Sequence, residues 1–140
     1  MGRVINPDGV GKERTRLVKG TVLAMRELMR QSEPDAVSRD LAGFIALALI
    51  EISKTIDTSV GAWEKKGYWV KADRFRLEWD WSGRLGEQMK QAVLTDDWAT
   101  VARVSVQVAG KLMDTKIAEH HRLGTPWVGA YKKLVSDAHL

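Results

Sequence analysis

No cysteine occurs in the 140 residues, which excludes disulfides, thiolate metal sites and a cysteine nucleophile. Proline is almost as scarce. Pro7, Pro34 and Pro126 are the only three, and each stands where a helix can begin. No long hydrophobic run exists either: LAGFIALALI, from Leu41 to Ile50, stops at Glu51, whereas a membrane helix needs about 20 apolar residues. The opening MGRVINPDGVGKERTR lacks the apolar centre of a secretory signal, and Asn6 replaces the Ser or Thr that myristoylation requires. These absences lead to the expectation of a soluble, cytoplasmic protein with no membrane partner.

Catalytic signatures are missing as well. Gly11-Lys12 invites comparison with a phosphate-binding loop, but Glu13 follows where Ser or Thr is needed and Asn6 stands in the first glycine's place. Glu119, His120 and His121 are metal-capable, yet adjacent helical residues point about 100° apart and cannot easily share one ion. No Glu-x-x-His, His-Glu-x-x-His or Glu-x-x-Glu pair occurs, nor the Arg-x4-6-His spacing of small helical ribonucleases. The expectation is a non-enzyme without catalytic, cofactor-binding or metal-binding residues, and with no cofactor.

What is present is ordinary globular material, 44% hydrophobic and 29% charged, in a length suited to one domain. Residues 1–140 are expected to form a single helical-bundle domain, with residues 1–9 an extended or flexible N-terminal segment. Apolar residues recur with a period near 3.6, and no strand-like alternation of useful length interrupts them. The spacing predicts a first helix over 10–31, with Leu17, Val18, Val22, Met25, Leu28 and Met29 on one face. Ser32 is expected to cap a second helix whose first turn holds Pro34 and Asp35 and which continues to Trp63 or Lys66, weakened near Thr58 and Gly61. A third helix is predicted from Tyr68 to Leu94 and a fourth from Asp96 to about Thr115. Gly124, Thr125 and Pro126 then mark the start of a short fifth helix, running through about Leu134. Long helices joined by short turns imply an all-α antiparallel four-helix bundle with a short fifth C-terminal helix. In helix number and length the chain resembles small helical bundles such as ferritin-like proteins, helical ribonucleases and small subunits of RNA-guided complexes. It shares no motif with them, so no site carries over.

The stretch GYWVKADRFRLEWDW, Gly67 to Trp81, interleaves aromatics with Lys71, Arg74 and Arg76, as single-strand binding channels do. Helical geometry favours a plainer reading. Ala72, Phe75, Trp79, Met89 and Val93 share one arc, and Asp73, Arg76, Asp80, Arg84 and Glu87 form a stripe of alternating sign, the pattern of a solvated face. Val70, Leu77, Trp81 and Leu85 make a second apolar arc, and the second helix is apolar all round from Leu41 to Ile50. Helices with that pattern are buried on several sides. Two explanations compete: self-association, or cover from the fifth helix and the segment 116–125. Self-association is favoured, with Val70, Leu77, Trp81 and Leu85 as the contact face and a dimer as the expected homo-oligomer. Glu51, Lys71, Arg74 and Glu78 are candidates for a buried ion network. A further candidate is a pocket lined by Trp63, Trp69 and Trp79, anchored by Glu51 or Arg74.

Net charge is +4, and residues 1–30 hold seven Lys or Arg against three Asp or Glu. Lys12, Arg16, Lys19, Arg26 and Arg30 follow helical spacings along roughly 27 Å, enough to track several phosphates. The sequence thus points first to a non-enzymatic helical interaction module that self-associates through its second and third helices. The alternative is a sequence-nonspecific nucleic-acid-binding protein using the basic stripe.

Overall fold

Three short turns and one longer segment separate five helices. They are α1 (Pro7–Arg30), α2 (Ala36–Lys65), α3 (Trp69–Leu94), α4 (Trp98–Leu112) and α5 (Ala130–Ala138) in a computed structural model that describes residues 7–138. No strand occurs among the described residues, and the helices pack as a bundle, as the periodicity predicts. Helix α1 already includes residues 7–9, which the sequence suggested would be extended; a proline's fixed φ and missing N–H suit the first helical position. Residues 1–6 of that segment lie outside the described residues.

The caps shift by a few residues from those predicted. Asp35, not Ser32, caps α2, its carboxylate accepting from Ser38 N–H at 3.0 Å. Asp97 caps α4 in the same way, from Thr100 N–H at 3.2 Å, so α4 starts after Asp96 rather than at it. Helix α2 runs unbroken through Thr58 and Gly61 to Lys65 and is closed by Gly67. There φ is +80°, with Gly67 N–H donating to Glu64 O and Tyr68 N–H to Trp63 O, the paired bonds of a glycine C-cap. The fifth helix starts at Ala130, later than Thr125 and Pro126 suggest, because its cap comes from elsewhere. Asp40, on α2, accepts from Gly129 N–H at 3.1 Å and from Tyr131 N–H at 3.0 Å.

Helix α2 is the hub. It packs most extensively on α3, then on α1 and α5, while α4 rests on α3 and only lightly on α1. Leu41, Ile45, Leu49 and Ile52 are fully buried, and Phe44 and Leu47 are half-buried against the same core. Close approach of α3 to α2 depends on Gly86, where a Cβ would lie 3.0 Å from Leu49 Cβ and from Ile50 Cγ1.

Candidate functional site

The interleaved aromatic stretch resolves into architecture. Trp63 meets Phe75 edge-on at 5.0 Å, Phe75 leans on Trp79 at 6.4 Å, and Trp79 stacks on Trp81 at 5.7 Å. Lys71 Nζ lies 4.4 Å from the Trp63 ring centre, and the Arg14 guanidinium lies 4.8 Å from that of Phe75. Trp81 is buried and its indole N–H donates to Glu78 O at 3.0 Å, so it offers no stacking surface. Trp69 stands outside the ladder and exposed, so Trp63, Trp69 and Trp79 do not combine into the pocket considered from sequence.

The ion network does not form as a buried unit. Glu51, Lys71, Arg74 and Glu78 are all exposed; Glu51 pairs within its own helix with Lys54 at 3.0 Å, and Lys71 sits on Trp63. The physical reason is position: these residues project from the outer sides of α2 and α3, where hydration costs nothing. The expected self-association face also divides. Trp81 and Leu85 belong to the chain's own core, 3% and 2% exposed, whereas Val70 and Leu77 remain 65% and 72% exposed. α2, apolar all round, is covered by α1, α3 and α5 of the same chain, which removes the reason for placing a partner on it.

On α1 the basic stripe is present but partly self-neutralised. Arg16 pairs with Glu13 at 2.6 Å and Arg30 with Glu27 at 2.6 Å. The Glu13 hydrogen bond holds the Arg16 pKa above its ordinary value. Lys12, Lys19 and Arg26 form no ion pair among the described residues. The single-sign field is therefore shorter than the spacing alone implies.

Two concave features emerge that the sequence reading did not single out. One is an open apolar groove of about 470 Å³ between α1 and α4, lined by Met25, Leu28, Met29, Trp98, Val101 and Val106 among others. Met29 on one bank and Val106 on the other are 80% and 72% exposed. α4 is the cause. Val101, Val104, Val108 and Leu112 turn inward, while Ala99, Ala102, Val106, Gly110 and Met113 form a second, uncovered row. That row is readable as spacings of three and four, a weaker signal than the longer apolar runs of α2 and α3. The other feature is a basic cleft beside the C-terminal end of α4, lined by Arg14, Lys19, Trp79, Lys111 and Lys116. Its members are distant in the chain, so no local spacing announces it.

His120 and His121 are exposed, and His121 Nδ1 accepts from Leu123 N–H at 3.2 Å. Among the described residues no group of three or more His, Asp or Glu gathers as a metal site would require, and no helix is long and apolar enough to cross a membrane. Comparison with known proteins returns no match: no family model, no curated sequence and no solved structure aligns with the chain.

Proposed function

We propose that this chain is a helical interaction module that self-associates through the α1–α4 groove rather than through α2 and α3. The observation that carries the reading is the second apolar row of α4, since a helix at the edge of a bundle needs only one such stripe. The molecule carries both halves of a contact, a groove of about 470 Å³ and an apolar ridge of matching kind beside it. A two-fold axis near Val106 would set α4 antiparallel to α4 of a second copy, as an isologous interface requires. Ala102 of one copy then lies opposite Gly110 of the other, and these small residues permit close packing. Arg103 and Lys111 fall opposite uncharged positions, so no like charges meet.

Val70 and Leu77 compete for the same role, but they stand among the exposed charges Asp73, Arg74 and Glu78. Burying one exposed valine in each copy is worth about 1.5 kcal/mol per side chain, so introducing a charge there should raise Kd by at least about 100-fold. Sedimentation equilibrium at tens of micromolar tests this. A dimer that Val106→Asp converts to monomer, while Leu77→Asp does not, is the expected result. A wild-type monomer, or a dimer broken only by Leu77→Asp, overturns the assignment.

A further inference from the structure

Arg14 is the anomaly on α1. Its Nε donates to Thr55 Oγ1 at 3.0 Å, and one Nη donates to Thr55 O at 3.0 Å and Ser59 Oγ at 2.6 Å. Phe75 covers the guanidinium plane. Burial pulls its pKa below the ordinary arginine value, although a guanidinium stays protonated under any physiological condition. No carboxylate pairs with it among the described residues, and its second Nη makes no hydrogen bond there. A half-buried cation held only by neutral groups is costly unless something else compensates it. Those contacts also fix the guanidinium in place, so an incoming anion would lose little entropy in ordering it.

Arg14 faces no isolated void. It lines a cleft of about 390 Å³ whose walls come from three elements. α1 supplies Arg14 and Lys19, α3 supplies Trp79, and the end of α4 with the segment after it supplies Lys111, Asp114 and Lys116. Among the described residues four cations line the cleft with one carboxylate, and none of the three lysines is ion-paired. The C-terminus of α4 contributes roughly half a negative charge, too little to cancel that excess. Trp79 is half-buried and held by its stack on Trp81, with ring planes 24° apart, so its indole is a fixed wall rather than a mobile side chain. The volume falls within the about 300–1,000 Å³ usual for small-ligand clefts.

We propose that this cleft binds a nucleotide, its phosphates on Arg14, Lys19, Lys111 and Lys116 and its base against Trp79. The remaining Nη of Arg14 and three lysine ammonium groups are charged donors suited to phosphate oxygens, and an indole beside them suits a base through stacking. Asp114 offers an acceptor to a ribose hydroxyl or an exocyclic amine. A free nucleotide fits better than a long strand, because the charges concentrate at the cleft while Arg16 and Arg30, further along α1, are neutralised by Glu13 and Glu27.

Isothermal titration of the full chain with ADP, pyrophosphate, adenosine and a single-stranded RNA decamer tests the proposal at physiological salt. Saturable one-to-one binding of ADP with a sub-millimolar Kd is expected, at least about tenfold tighter than pyrophosphate, with no binding of adenosine. The double variant Lys111→Gln, Lys116→Gln should weaken ADP at least about tenfold. Both lysines are exposed, so the far-ultraviolet circular dichroism should not change. Lys132→Gln with Lys133→Gln, a matched charge loss on α5, should leave binding intact. Absence of ADP binding overturns the site. So does equal loss in both double variants, which would mean diffuse attraction to net charge. Pyrophosphate binding as tightly as ADP removes the role of Trp79 and with it the nucleotide assignment. Saturation by the decamer but not by ADP replaces the cleft with a strand-binding surface.

Discussion

Asp40→Ala should release α5. The helix has 9 residues, too few to persist in water unaided, since isolated helices below about 12–15 residues are marginal. Burial and one carboxylate hold it: Leu134 and Ala130 are buried and Tyr131 packs on the core, while the Asp40 carboxylate receives Gly129 N–H and Tyr131 N–H. Those donors lie just before the helix and in its first turn, where N–H groups have no partner inside the helix. A hydrogen bond to a charged group contributes about 1.5–3 kcal/mol, and loss of an N-cap side chain costs about 0.5–2 kcal/mol. Asp40 is half-exposed, so water replaces part of what is lost, and about 2 kcal/mol is a fair figure for the pair. Because the loss is confined to one element, it should appear as local opening before global unfolding. Hydrogen exchange is the suitable assay. At about 1.4 kcal/mol per tenfold, amides of residues 130–138 should exchange about 30-fold faster in Asp40→Ala, with α2 and α3 unchanged. Asp40→Asn keeps one acceptor oxygen and should lose about half that energy. Unchanged protection in α5 in Asp40→Ala, alongside its loss in Leu134→Ala, would refute the carboxylate latch and leave α5 held by burial alone.

Other outcomes follow from the same geometry. Gly86→Ala should lower stability by about 1–3 kcal/mol in urea unfolding, because the new Cβ must push Leu49 and Ile50 away. Gly61→Ala, with nothing within 4 Å, should raise it by about 0.5–1 kcal/mol; equal effects at the two sites would contradict close α2–α3 packing. The caps Asp35 and Asp97 both have lowered pKa values, Asp35 chiefly through the Ser38 N–H bond and Asp97 through the Thr100 hydroxyl. A lowered native pKa adds stability that is complete above the ordinary aspartate value and is lost as pH falls through the native one. Stability should therefore decline below about pH 4, and Asp35→Asn with Asp97→Asn should flatten that slope. An unchanged slope would place the acid sensitivity elsewhere.

Much of the architecture was legible because helices announce themselves locally. Periods of 3.6 and three prolines locate five helices to within a few residues, and the alternating charges from Asp73 to Glu87 mark a wet face, whereas the break at Gly67 rather than Gly61 is visible only in the structure. The caps were harder: Ser32 carries cap chemistry, yet the extended backbone and the Ser38 N–H bond place the cap at Asp35. The site was less legible still. A helical wheel shows that Trp81 and Leu85 are apolar, but not whether their neighbours belong to the same chain.

The local rules of the chain by themselves determined an all-α bundle, the helix order and the outward charges, because propensity, capping and periodicity act over a few residues. Tertiary packing decided which apolar faces are spent internally. It placed α2 at the hub, so its all-round apolar turns are satisfied within one chain, and it put α4 at the edge with a row uncovered. It also brought Asp40 to the start of α5 and gathered Arg14 and Lys19 with Lys111 and Lys116 around Trp79. Those encounters join residues as much as about 100 positions apart, and only the folded path of the chain, not any local spacing, sets which of them meet.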